Sequence, residues 1–270
     1  MDLRTVRYVV ADRVATVTLD RPERRNAWTG RMHEEYRHVL AEAETDEAVR
    51  VIVVTGAGDS FCVGADARAL DKHVEAGEYD SGIRADIARP GHGVRDEYDH
   101  AFAFHYGIAK PIIAAVNGAA AGVGLVLACY CDLRFAAAGV KLTTAHGRLG
   151  LPAEYGLSWV LPRLLGIGRA ADLLLSSRVV LAEEAETMGL VNAVLPREEL
   201  AAHTAAYAHR LAHEISPASL TATKRQLYAD LHGDVGMAVA RSEALLEQLA
   251  RGADLAEGVA ALREKRPPRF

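Results

Sequence analysis

An α/β layered core followed by an all-helical tail is the fold class predicted by this 270-residue sequence. Two observations predict it. Short β-branched runs alternate with helix-spaced segments through about residue 195, as strands and their covering helices do. After Pro196 the strand signal disappears and only helical periodicity remains. The expected division is therefore 1–195 for the core and 196–270 for the tail.

The elements follow in order. Val14 to Leu19 alternates, with Val17 and Leu19 set against Thr16 and Thr18, as a half-buried strand does, and Arg21-Pro22 ends it. From Thr29, a suitable N-cap, Met32, Tyr36, Val39, Leu40 and Ala43 recur at helical spacing. Val49 to Val54 is a nearly continuous apolar run closed by Gly56-Ala57-Gly58-Asp59, which suits a strand covered on both faces. Residues from roughly Asp71 to Tyr98 lack clean periodicity and are expected to form a mobile excursion. Ile112 to Val116 reads as a second buried strand, followed by a helix from about Gly122 and a strand over Leu133 to Ala136. In the tail, Glu198 to His213, Pro217 to Leu231, Val235 to Ala250 and Asp254 to Lys265 read as helices, separated by Pro217, Gly233 and Gly252.

Composition narrows the function classes. Half the residues are hydrophobic and a quarter are charged, and the net charge is 31 − 36 = −5. No nucleic-acid partner is expected from such a chain, and an anionic ligand would need locally placed Arg and Lys. Cys62, Cys129 and Cys131, with no secretory leader visible, predict reduced thiols in a cytoplasmic protein. Ile112 to Cys131 is 20 residues long without a charge, the length of a membrane span, but Asn117-Gly118 breaks it. A strand, a turn and a helix fit it better, so no membrane partner is expected. His92, His100 and His105 do not stand at metal-ligand spacing with a Cys or carboxylate pair, so no metal site is expected.

Two Gly-containing turns open helices: Phe61-Cys62-Val63-Gly64-Ala65-Asp66 and Asn117-Gly118-Ala119-Ala120-Ala121-Gly122-Val123-Gly124. Backbone N–H groups at a helix start lack internal partners and can receive developing negative charge. Two such donors aimed at one point would form an oxyanion hole. The spacing is not that of a dinucleotide fingerprint, and no Gly-Lys-Ser/Thr follows, which excludes a P-loop. On the pattern alone, close helix–strand packing explains the glycines as well.

With these turns, the chain resembles the enoyl-CoA hydratase/isomerase (crotonase) family. The resemblance is carried by Leu19 to Ala27, by both turns, and by Lys110-Pro111 through Cys131-Asp132. It continues through Leu161 to Gly166, Ala182 to Ala185 with Gly189-Leu190-Val191, Ser216-Pro217-Ala218, and Glu264 to Phe270. It covers the whole chain in order. The family implies a spiral of ββα turns with a C-terminal helical trimerisation region, assembled as a homotrimer or a dimer of trimers. It implies an acyl-CoA thioester substrate, with coenzyme A entering as part of that substrate and no separate cofactor, and a thioester enolate held by two peptide N–H groups.

Carried over residue by residue, those donors fall on Ala65 and Val123, with Gly122 and Gly124 flanking the second. Val123 departs from the usual Gly, and its branched side chain narrows the approach to the backbone. Asp66, Ala67 and Arg68 would line the thioester and pantetheine. The two glutamates that hydration uses fall on Val126, which transfers no proton, and His146, whose imidazole can carry one. Glu154 stands where single-base isomerases of the family carry theirs, with Tyr155 and Trp159 as wall residues. Arg21, Arg24, Arg25 and Arg266, and Lys265 from a neighbouring copy, are candidates for the nucleotide phosphates, although each also suits a solvated surface.

Three readings follow. The first is an isomerase using Glu154, with the Ala65 and Val123 amides as electrophile. The second is a hydrolase of a carbon–carbon bond in a β-diketone, using His146 and Glu154. The third is a non-catalytic acyl-CoA-binding protein.

Overall fold

The computed structural model describes residues 1–77 and 86–270. It opens on an antiparallel hairpin, β1 (Val6–Ala11) and β2 (Val14–Leu19). The turn residues Asp12 and Arg13 both have positive φ, the geometry that matches the natural twist of a two-residue hairpin. Helix α1 (Gly30–Thr45) starts where the Thr29 hydroxyl accepts from the Met32 N–H, and it buries Met32, Tyr36, Val39 and Leu40. Its buried Glu35 reaches back to accept the N–H groups of Arg4, Thr5 and Val6. Burial alone would raise the Glu35 pKa, but hydrogen bonds from Thr5, Arg31 and Arg4 outweigh it and hold the carboxyl below its usual range.

Next come β3 (Val51–Gly56), β4 (Ser60–Cys62) and α2 (Ala67–Ala76), then β5 (Ile112–Val116), β6 (Ala119–Ala121) and α3 (Val123–Tyr130). A third pair, β7 (Leu133–Ala137) and β8 (Lys141–Thr143), leads through two short 3-10 turns to α4 (Leu157–Leu165) and α5 (Ile167–Ser176). After β9 (Val180–Leu181), α6 (Ala182–Met188) and β10 (Ala193–Leu195), the described residues form two sheets, ordered β1-β2-β3-β5-β7-β10 and β4-β6-β8-β9. β2, β3, β5, β7 and β10 run parallel. Each coil thus lays one longer strand in the large sheet and one short strand in the small sheet, then turns into a helix. That is the spiral of ββα turns that the family resemblance implies.

Helix α2 occupies the start of the stretch expected to be a mobile excursion, and residues 78–85 of that stretch lie outside the described residues. The apolar stretch from Ile112 to Cys131 is divided among β5, β6 and α3, and no described helix is long and apolar enough to cross a membrane. The three cysteines are free and buried, and burial pushes the Cys62 and Cys129 thiols up to about 12.

The tail contains α7 (Arg197–Glu214), α8 (Pro217–Asp230), α9 (Val235–Leu249) and α10 (Ala253–Glu264). In the tail, α7 covers the large sheet. It buries Leu200, Ala208 and Ala212, and sets His203 and Tyr207 edge-on to Phe135 at 4.9 and 5.1 Å. Helix α8 is fixed by a buried polar knot. Asp132, at the corner between α3 and β7, accepts from Lys224 Nζ at 2.8 Å, Tyr228 OH at 2.6 Å and the Ile112 N–H at 2.6 Å.

Removing the shared acceptor would leave the Lys224 ammonium buried and uncompensated. Asp132→Ala is therefore expected to lower the unfolding free energy by about 3–5 kcal/mol, read from urea denaturation. An unchanged midpoint would show that the knot does not hold α8.

Candidate active site

The two helix-opening turns meet backbone to backbone. Gly124 packs against the Cys62 carbonyl so closely that an added methyl group would run into it. A methyl on Gly122 would lie 3.8 Å from the Gly64 Cα, and one on Gly64 would lie 3.3 Å from the Ala121 carbonyl oxygen. Gly122 has φ 49° and ψ −122°, a conformation that turns the chain sharply from β6 into α3 and disfavours a side chain.

The amides follow from this local geometry. Gly122 donates to the Thr143 carbonyl, and the first intrahelical bond of α3 is from Val126 N–H to the Gly122 carbonyl. Val123 is thus left at the helix start, and among the described residues its N–H donates to no protein acceptor. On the facing turn, Trp28 and Ala65 form an isolated parallel bridge. Trp28 N–H donates to the Gly64 carbonyl and Asp66 N–H to the Trp28 carbonyl. The bridge uses the amides on either side of Ala65 and leaves its own N–H without a protein acceptor among the described residues. The Val123 side chain is 4 % exposed and packs into the core.

The carboxylate side of the site comes from the 3-10 turns after β8. His146 is buried, follows Ala145 at φ 61°, and has a ring Nδ1 without a partner among the described residues. Glu154 is half-buried, and no described residue donates a hydrogen bond to its carboxylate. Burial raises its pKa, and the charge of His146 offsets part of that rise, so the two groups sense each other. Tyr155 has φ 49°, an uncommon conformation for a bulky residue, and its carbonyl accepts from Tyr130 OH at 2.8 Å.

Aromatic rings join the two sides. Phe102 lies 5.4 Å from Trp28 and 5.4 Å from Tyr155 (centroid to centroid), linking the Ala65 bridge to the segment that carries Glu154. Beside this chain, His33 is pushed down to about 4 by burial and by Arg37, and His105 falls well below its ordinary value for the same first cause. Both imidazoles of this wall are therefore neutral. Next to it lies a cavity of about 380 Å³, whose lining includes Tyr98, Tyr106, Tyr130, Tyr155 and Trp159.

This geometry can stabilise negative charge on an oxygen near Ala65 and Val123 while a raised-pKa carboxylate moves a proton. The family model for enoyl-CoA hydratase/isomerase matches residues 10–270. The chain belongs to the enoyl-CoA hydratase/isomerase family. It is 36% identical over 270 residues to a probable enoyl-CoA hydratase of Rhodobacter capsulatus, covering 100% of this chain and 99% of that one. It is 34% identical over 268 residues to the 1,2-epoxyphenylacetyl-CoA isomerase of Escherichia coli, covering 95% and 94%. Among solved structures, a probable enoyl-CoA hydratase/isomerase from Mycobacterium abscessus superposes with a TM-score of 0.85 at 31% identity, covering 98% of each chain.

Within this family member, the residues singled out from sequence are distributed unevenly. The fold brings Gly122, Val123 and Gly124 against the turn that carries Ala65, and His146 and Glu154 fall on the two successive 3-10 turns between β8 and α4. Asp66 is turned into a structural ion pair with Arg21 at 2.9 Å and accepts from the Arg68 N–H. That contact engages Arg21, which also donates to the Ala27 carbonyl, so neither charge of the pair is a free ligand contact. Ala67 and Arg68 open α2 and are exposed, as are Arg24 and Arg25. Lys265 caps the end of α10 and is exposed, while Arg266 is paired with Glu257 and Glu264. Val126 is 1 % exposed on α3 and offers no proton.

Sequence reading passed over Phe102, Tyr98, Tyr106 and Tyr130. The run Ala101-Phe102-Ala103-Phe104-His105-Tyr106 was the available signal, an aromatic at nearly every second position. Also unforeseen, Asp12, His209 and His213 gather on the outer surface with their ligand-type atoms within 4.8 Å of one another.

Val123 is the first residue of α3, a helical position that tolerates proline because its N–H is not used within the helix. Val123→Pro removes the amide hydrogen and should lower kcat by about 10²–10³-fold, with the circular dichroism spectrum retained. Unchanged turnover in a folded variant would remove Val123 from the oxyanion site.

Proposed function

We propose that this enzyme shifts a carbon–carbon double bond within an enoyl-CoA thioester, with Glu154 as the single base. The observation that carries the reading is a desolvated carboxylate without hydrogen-bond donors among the described residues, in a chain whose two glycine turns each leave an amide unused. The Glu154 carboxylate takes a proton from the carbon beside the thioester carbonyl. The C–H electrons move into a dienolate, whose oxygen accepts from the Ala65 and Val123 N–H groups. Glu154 then returns the proton two carbons along, and the double bond ends conjugated with the thioester. No atom is gained or lost, and no water takes part.

Val126 and His146 support this reading, because they replace the two carboxylates that would position and activate a water. The Escherichia coli relative named as an isomerase supports it too. Exposed Arg24 and Arg25, with Lys265 from a neighbouring copy, would meet the coenzyme A phosphates. A trimeric or hexameric assembly is favoured by α9, which buries none of its residues and exposes Val235, Met237, Val239 and Leu246.

One observation favours a second reading, cleavage of a carbon–carbon bond in a β-diketone: the buried His146 with its unpartnered Nδ1, close enough to Glu154 to affect it. His146-dependent loss of a cyclic diketone's absorbance, with no isomerisation of 3-enoyl-CoA, would select it.

For the isomerase, Glu154→Gln should lower kcat on 3-enoyl-CoA by about 10²–10⁴-fold. The acid limb of kcat/KM should lie above the ordinary glutamate value of about 4.3, because the base works only when ionised and burial raises its pKa. The sign for stability is opposite. A carboxyl with a raised folded pKa favours folding while protonated, and that contribution is lost as pH rises through the folded pKa. Glu154→Gln should therefore match or exceed the parent Tm at pH 7, with the gap closing in acid. Parent-like turnover by the variant would reject Glu154 as the base.

A further inference from the structure

Resting on the reading of this site as an acyl-thioester pocket, we propose that the acyl group it selects is aryl, or similarly flat and cyclic. The group would be seated in the aromatic cavity beyond Glu154. The cavity has a volume of about 380 Å³. A cavity of about 150 Å³ already holds benzene, so there is room for a ring, its linking carbon and a substituent.

Its position follows from the helix. Val123, Val126 and Tyr130 stand at i, i+3 and i+7, one stripe of α3. Tyr130 lies roughly 10 Å along the axis from Val123 at the usual rise per residue. An acyl chain whose carbonyl rests at the Val123 amide and that follows the direction of this helix is led toward Tyr130, which lines the cavity. From the other side, Tyr155 and Gly156 line the same cavity directly after Glu154 in the chain.

The walls favour a ring over an alkyl chain. Tyr106 and Tyr130 stand 5.2 Å apart at 47°, and Trp159 stacks on His232 at 5.4 Å. Tyr106 is held from behind by Tyr228, stacked at 3.9 Å and itself bonded to Asp132. These faces and edges are fixed before a ligand arrives, so a planar ring gains edge and face contacts with little ordering. A flexible alkyl chain must give up its rotamers for less. Tyr98, on the same lining, is 3 % exposed, and its hydroxyl has no partner among the described residues. A ring substituent able to accept a hydrogen bond would satisfy it.

Calorimetric binding of two thioesters without a shiftable double bond, phenylacetyl-CoA and hexanoyl-CoA, tests the proposal, with free coenzyme A as baseline. Phenylacetyl-CoA should bind about tenfold more tightly than hexanoyl-CoA, the yield of two or three ring contacts. Trp159→Leu, which removes a wall, and Ala103→Phe, which fills the space, should each abolish that preference. Both variants should keep binding of acetyl-CoA, whose acyl group is too short to reach the cavity, within about threefold. Equal affinities in the parent, or a preference that survives both substitutions, would overturn the aryl assignment. Neither thioester needs the base, so that result would leave Glu154 catalysis standing. Binding of neither thioester above the coenzyme A baseline would reject the acyl-thioester reading itself.

Discussion

The site depends on one close approach of backbone to backbone, Gly124 against the Cys62 carbonyl. Two coils of the spiral touch there with no side chain between them. Around that contact stand the Gly122 bend, the start of α3, and the two turns that each leave an amide unused among the described residues. Other contacts fix the same helix. At its far end the buried Arg134 guanidinium donates to the Ala128, Cys129 and Cys131 carbonyls and to that of Leu190. With both ends held by polar groups, α3 can be apolar along its whole length and still have a defined register. The two turns are likewise pinned by side-chain amides. Asn26 bridges the Ala57 and Ser60 carbonyls, and Asn117 accepts from the Gly56 N–H while donating to the Gly58 carbonyl.

The electrostatics of the site come from what this scaffold excludes. The neighbouring aromatic wall contains neutral imidazoles and phenols whose pKa values burial raises. Burial takes solvation from the Glu154 carboxylate, which brings its pKa up. The formal charges nearby are used elsewhere: Asp66 and Arg21 neutralise each other, and Lys224 is consumed by Asp132. The Asp132 knot also braces Tyr228 behind Tyr106, so the contact that docks α8 sets one wall of the cavity.

Much of this was legible in the sequence, for reasons that differ by element. The long parallel strands show as β-branched runs because they are covered on both faces, and the tail helices show through their separators Pro217, Gly233 and Gly252. The short strands β4, β6, β8 and β9 were not legible, since two or three residues carry no period. Hairpin β1–β2 escaped because Asp12-Arg13 adopts positive φ without the Asn-Gly or Asp-Gly signature. The covering role of α7 escaped for another reason. Its apolar positions, Ala208 and Ala212 among them, are small, so its inward face looks weak in sequence while packing closely on the sheet. In the candidate site, motif order singled out the glycine turns and Glu154, which lie on the β4–α2 and β6–α3 connections and on the turn before α4. Only the tertiary structure could show that Asp66 spends its charge on Arg21, or gather Phe102, Tyr106 and Tyr130 from separate elements.

On the proposed reading, Val126 and His146 at the two hydratase positions and the aromatic cavity favour the same chemistry. Hydration needs a water held between a base and an acid, which requires polar partners on both sides of the reacting double bond. Here one of those positions is an apolar residue packed in the core, and the other a buried imidazole with an unsatisfied nitrogen. Such a site offers an incoming water little to bind. An internal proton transfer has no such need, because the proton leaves and returns on one carboxylate and the charge stays on the thioester oxygen beside two fixed amides. Excluding water then favours the reaction, since a desolvated carboxylate is a stronger base toward carbon and a dienolate is kept from stray protons. On the proposed reading, the absent glutamates and the apolar wall serve one purpose, to confine a single proton between Glu154 and the substrate.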